Sequence, residues 1–264
     1  MSFYRARSLL SLSFSTIPSL RMSFSATSFK PQKDAHCSRY LFRQPSPAAS
    51  RESPWPVVFL RAKGLGEEPG EWADWSGMFA EKGYTAIEID ITAPTPIEDA
   101  ESPFGRMSNS LSSQIRLSAI PFPPIIIARG LSTLLAQTFI SDFPASALVL
   151  VDPVPDEDPR PEGFGTALDG SSKGQGWAWP KFDFEPHFPI LLISSQSQLN
   201  GLSVSNRLLR THTGIDPNKK GFLGRLGGGG GKGVEVVAAD GLEGGQLGEG
   251  ARVEVERWMD RCGF

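Results

Sequence analysis

A serine four residues beyond a buried strand, two arginines at strand ends and a small supply of bases set the chemistry open to this chain. Its 264 residues include three histidines (His36, His187 and His212) and two cysteines (Cys37 and Cys262). A serine nucleophile needs a base within hydrogen-bond reach and a third group to orient that base. Ser132 lies in Gly130-Leu131-Ser132-Thr133, at the head of a helix-patterned stretch, where a helix N-terminus favours developing negative charge. The other role for Ser132 is packing, because a small residue lets a helix approach a strand closely. His187 precedes a strand and His212 sits near a helix end, so each reads as a surface histidine as well as a base. Arg61 and Arg129 fall at C-terminal strand ends, the edge where open α/β sheets bind ligands. Together with Lys63 they could receive a carboxylate or a phosphate. Two cysteines rule out a disulfide framework and a four-cysteine zinc site. Three histidines leave almost nothing for another metal centre, so neither metal nor cofactor is expected.

The elements that must position these residues alternate along the chain. Val57–Leu60, Thr85–Ile91, Pro124–Ala128, Ala147–Val151, Pro189–Ile193 and Val234–Ala239 are apolar or β-branched runs, as expected of strands covered on both faces. Between them, apolar residues recur at helical spacing: Trp72, Trp75, Met78 and Phe79, closed by Gly83; then Leu131, Leu134, Leu135 and Phe139; then Val255, Trp258, Met259 and Cys262. Such alternation predicts an α/β fold: a mainly parallel central sheet with helices on both faces. Residues 44–56, rich in Pro and Ser, read as a linker into residues 57–264.

Two stretches interrupt the pattern. Residues 154–188 combine Pro, Gly and acidic residues with Trp177 and Trp179, and read as a short cap insertion. Residues 214–233 carry five consecutive glycines, Gly227–Gly231, a flexible surface loop on composition. Lys232 is followed by Gly233 and Val234, so no phosphate loop is formed. After the first core strand, Gly64-Leu65-Gly66 begins a dinucleotide fingerprint, but Pro69 stands where its third glycine belongs.

Residues 1–33 hold Arg5, Arg7, Arg21, Lys30 and Lys33, many serines and no acid. That is the composition of a mitochondrial transit peptide, assigned here to residues 1–43 and implying a matrix location. Beyond it stand 19 basic against 28 acidic residues, a formal charge of −9. An acidic remainder argues against nucleic-acid binding. No apolar run approaches the ~20 residues of a membrane span.

The segment PIIIARGLSTLLAQTFISDFPASALVLVDP (residues 124–153) resembles the nucleophile region of the α/β-hydrolase superfamily. Strand, sharp turn, a helix ending in Phe143-Pro144 and a strand ending in Asp152-Pro153 carry the likeness, which extends over roughly residues 55–153. The resemblance implies a Gly-x-Ser-x-Gly elbow whose serine attacks and whose next N–H stabilises the oxyanion. Counted from the strand end or back from Pro144, the elbow tip is Gly130, which has no side chain to attack with. Glycine does supply the positive φ the turn demands. The other roles lack their residues too. Ser194-Ser195-Gln196-Ser197-Gln198 occupies the usual place of the acid, with no acid before Asp216. Asp152 stands at the alternative place, where an Asp-Pro is often structural. Asp240-Gly241-Leu242 replaces the histidine turn, and Arg61-Ala62 replaces the usual His-Gly after the first core strand. The expectation is a degenerate member, a pseudoenzyme that binds a small acyl or anionic ligand or a protein partner, with Arg61, Lys63, Arg129 and Leu131 as ligand contacts. The alternative is an esterase acting on carboxylic esters or thioesters through Ser132.

Overall fold

The structure is a computed structural model that describes residues 34–65, 72–94, 102–160, 177–185, 187–212, 233–239, 242 and 247–264. The acid-free N-terminal stretch, the glycine run, Asp216, Asp240 and residues 161–176 of the cap lie outside the described residues.

Among the described residues, seven strands form one sheet in the order β1-β3-β2-β4-β5-β6-β7. They are β1 (His36–Arg43), β2 (Val57–Lys63), β3 (Ala86–Thr92), β4 (Ile125–Arg129), β5 (Ala147–Val151), β6 (Ile190–Ser194) and β7 (Val234–Ala238). Only β1 is antiparallel, pairing with β3; the other neighbours run parallel. All of β4, β5 and β6 is buried, which accounts for their unbroken β-branched sequences. The helices are α1 (Ala73–Glu81), α2 (Phe104–Leu117), α3 (Ser132–Asp142), α4 (Gln196–Ser205), α5 (Arg207–His212) and α6 (Glu249–Cys262).

The period-2 alternation of each strand splits the core in two. On one face Val58, Leu60, Ile87, Ile126 and Leu148 meet Phe104, Met107 and Leu111 of α2 and Leu134, Leu135 and Phe139 of α3. On the other, Val57, Phe59, Ile125 and Val149 meet Trp75 and Phe79 of α1 and Val255, Trp258 and Met259 of α6. Each such side chain contributes about 1.5–3 kcal/mol by leaving water. The order reverses at β2, whose connection leads outward to β3 while β4 leads the other way. The gap between the C-terminal ends of β2 and β4 is therefore the sheet's topological switch point.

Residues 36–43, the last of those assigned above to a leader, form β1, paired to β3 along its length. Their arginines serve the fold: Arg39 Nη2 lies 3.0 Å and Arg43 Nη2 3.6 Å from the buried Glu88 of β3.

Candidate functional site

β4 stops at Arg129, Gly130 turns at φ 55°, and α3 begins at Ser132. Reversing from strand to helix in so few residues requires the left-handed region, which glycine enters without steric cost. The turn is closed from both sides. Gly130 N donates to the Val151 carbonyl (3.0 Å), and the Gly130 carbonyl accepts from Thr133 N (3.0 Å) and Thr133 Oγ1 (2.6 Å). The backbone of an elbow is thus present, with no side chain at its tip. Leu131, at the N-cap of α3, is half-buried and packs against the core.

Ser132 is 1% exposed, and its Oγ accepts a hydrogen bond from the Ala62 backbone N–H of β2 at 2.9 Å. That contact ties the first turn of α3 to the neighbouring strand across the switch point. His187 is exposed ahead of β6, and the His212 side chain lies outside the described residues. Burial raises the pKa of the Cys37 thiol, and burial pushes Cys262 up to about 11, so both are protonated near neutral pH, and the thiolate is the reactive form.

Arg129, expected at a ligand edge, is only 6% exposed. Its Nε and Nη2 lie 2.8 and 2.7 Å from Asp152 Oδ2 at the end of β5, and Nη2 reaches the Leu242 carbonyl at 3.5 Å. Leu242 belongs to the β7–α6 connection, where the resemblance would place a histidine. An arginine from the elbow therefore spans from the acid position towards the base position. Asp152 adopts φ 45°, a region that aspartate enters more readily than most residues. Its Oδ1 accepts from Ser194 Oγ at 2.9 Å, and the same Oγ lies 2.5 Å from Gln198 Oε1 of α4.

Arg61 and Lys63 share a second buried acid. Lys63 Nζ is 3.0 Å and Arg61 Nη1 is 3.8 Å from Asp90 Oδ2 on β3. The three strand-end cations and two acids form two separate clusters, one on each side of the switch point. A cavity of about 380 Å³ opens beside the Arg129–Asp152 cluster, lined by Gly130, Asp152, Pro155, Gln198 and Leu202 among others.

The cap tryptophans turn inward. Trp177 is buried, stacks on Trp179 with ring centroids 5.4 Å apart, and meets Phe104 edge-on. Arg160 lies over the Trp177 ring at 3.9 Å, and Trp179 Nε1 donates to the Pro155 carbonyl on the cavity rim. Among the described residues no His, Cys, Asp and Glu group is placed to hold a metal, and no helix is long and apolar enough to cross a membrane.

Sequence spacing located the elbow; it did not find the line Arg129–Asp152–Ser194–Gln198. These residues are 23, 42 and 4 positions apart, so only the register of β4, β5 and β6 brings them together.

The sequence matches no family model, and no curated protein is similar to it. Solved structures are similar in fold. An α/β hydrolase from Sphaerobacter thermophilus matches with a TM-score of 0.51 and 11% identity, over 84% of this chain and 95% of that one. A probable hydrolytic enzyme from Pseudomonas aeruginosa matches over 50% of this chain at 19% identity and a TM-score of 0.36. This chain spans only 45% of that enzyme's length. An α/β-hydrolase-fold protein from Burkholderia ambifaria matches at 13% identity and a TM-score of 0.38, over 63% of this chain and 82% of that one.

Proposed function

We propose that this α/β-hydrolase fold serves as a non-catalytic binding or accessory protein, which uses the crevice beside the elbow or a neighbouring surface for recognition. The observation that carries the reading is Gly130: the elbow keeps its left-handed turn, and the residue at its tip has no nucleophile. Two others support it. Asp152 is engaged by a guanidinium rather than an imidazole, and the nearest serine, Ser132, is buried with its Oγ bonded to β2. Serine catalysis needs an accessible Oγ with a base in reach. The occupants considered are a small acyl or anionic molecule and a protein partner.

Labelling the full chain with a fluorophosphonate serine-hydrolase probe tests this. The expected outcome is no labelling by wild type or by Ser132→Ala, with both folded. Labelling that disappears in Ser132→Ala would establish the esterase reading, with carboxylic esters or thioesters as substrates.

The proposal includes a mitochondrial matrix location, resting on the arginines and the absence of acid in residues 1–33. A full-length chain carrying a C-terminal fluorescent protein should enter mitochondria. Arg5→Glu, Arg7→Glu and Arg21→Glu together should leave it outside. Import that survives those charge reversals would sink the targeting role.

A further inference from the structure

We propose that Arg61 and Lys63, at the C-terminal end of β2, bind the carboxylate of a small, singly charged ligand. This names the chemistry of the anionic occupant proposed above and rests on that non-catalytic reading. The first observation is a buried guanidinium with an unmet donor. The Arg61 side chain is 10% exposed, and its Nε is buried with no hydrogen-bond partner. Among the described residues its ion pair is with Asp90, where Nη1 lies 3.8 Å from Oδ2, too far for a hydrogen bond. Lys63 Nζ holds that same oxygen at 3.0 Å. A guanidinium carries five N–H donors in a planar fork that matches a carboxylate through two parallel bonds. One oxygen shared with a lysine leaves the fork unfilled. Burying a charge without hydrogen bonds is unfavourable, and an incoming carboxylate supplies the acceptors.

The second observation is charge at the same corner. β2 pairs β3 with Arg61 beside Asp90, and its register with β4, Leu60 beside Ala128, brings Arg129 level with Arg61 on the other side. Phe59 and Ile127, two residues earlier on those strands, share one core, so by alternation both arginines stand on that face of the sheet. Like charges at neighbouring cross-strand positions repel, and Asp152 pairs with Arg129 alone of the two. Among the described residues the corner sets three cations, Arg61, Lys63 and Arg129, against two acids, Asp90 and Asp152, a surplus of one positive charge. Turning the Arg61 guanidinium fully onto Asp90 leaves that surplus unchanged. A monocarboxylate neutralises it, whereas a phosphate dianion in a partly dry site overshoots by one charge. Lys63, its side chain 34% exposed, marks the side from which water and a ligand reach the corner.

The test follows thermal unfolding and calorimetry of the full chain with sodium butyrate, butyramide or sodium phosphate, at ionic strength matched with sodium chloride. A ligand that binds the folded state raises the unfolding midpoint. Butyrate is expected to raise it saturably and to bind at least about tenfold more tightly than butyramide, as charge-assisted hydrogen bonds predict. Phosphate is expected to bind more weakly than butyrate. Arg61→Met should abolish the butyrate shift and stay folded, because Lys63 still pairs with Asp90. Lys63→Met, on the open side, should weaken butyrate about tenfold, and it decides the matter where Arg61→Met fails to fold. Phosphate binding as tight as butyrate, equal binding of butyramide, a butyrate shift that survives Arg61→Met, unchanged affinity in Lys63→Met, or no shift with either anion would each overturn the carboxylate site. A separate sample receives methyl butyrate. Its conversion with water to butyrate and methanol would overturn the non-catalytic reading instead, leaving the carboxylate site to be judged on the binding results.

Discussion

Arg129 and Asp152 sit at the ends of adjacent strands, and each would be costly without the other. A non-glycine residue in the left-handed region carries roughly 1–3 kcal/mol of strain, and Asp152 is held there at φ 45°. What holds it is a three-sided grip: the guanidinium on Oδ2, Ser194 on Oδ1, and its own N–H on the Ile193 carbonyl at 2.9 Å. Removing one partner of such a buried pair leaves the other charged and poorly solvated. Arg129→Met is therefore expected to cost about 3–5 kcal/mol, measured by denaturant unfolding. Adding Asp152→Asn should restore a large part of that loss, since the neutral amide still accepts from Ser194 and still tolerates positive φ. A loss below about 1 kcal/mol for Arg129→Met would mean that the pair is not what secures the turn.

Two glycines behave oppositely because their elements use them differently. Gly83 follows α1 at φ 97°, and a Cβ there would lie 1.8 Å from the Arg51 carbonyl oxygen, which is backbone. The Gly83 carbonyl also accepts from Ser53 N at 2.8 Å, so the helix end and the incoming segment are locked together. Gly83→Ala should cost more than the roughly 1–2 kcal/mol of left-handed strain alone, because the backbone must also separate. Gly201 lies inside α4 with open space around it. Gly201→Ala should stabilise by about 0.8–1 kcal/mol through helix propensity. Thermal unfolding of the two variants separates them by sign, and a destabilised Gly201→Ala would contradict the open packing described for α4.

The same local chemistry decides which elements could be read from sequence. Runs such as Ile125-Ile126-Ile127 announce a strand covered on both faces, and Gly83 announces a helix stop. In α2, Phe104, Met107 and Leu111 keep helical spacing, yet Ser108, Ser110, Ser112 and Ser113 dilute the stripe. In α4 only Leu199 and Leu202 are buried among serines, glutamines and a glycine. These helices are held by what they pack on, and propensity does not carry that information. The elbow was legible because turn and helix length are local. The Arg129–Asp152–Ser194–Gln198 line was not, because it exists only across three strands.

At the scale of the whole molecule, β1 tests where the folded unit begins. Its side chains repay β3 for burying an acid: Glu88 is 2% exposed and accepts from Ser76 Oγ, with Arg39 and Arg43 as its counter-ions. Arg43 Nε also donates to Ser76 Oγ at 2.9 Å, so helix α1, β1 and β3 share one polar knot. A chain beginning at residue 34 keeps this knot. One beginning at residue 44 deletes both arginines, strands a buried carboxylate and turns β3 into an exposed edge. The shorter chain should be less stable by at least about 3–5 kcal/mol and prone to edge-to-edge association, while the longer one unfolds as the full chain does. Denaturant unfolding and size-exclusion chromatography of the two read both effects. Equal stability would show β1 to be dispensable and would allow a leader to be cut near residue 43. The expected loss instead requires any maturation cleavage to fall before His36, because later cleavage would remove counter-ions on which a buried charge depends.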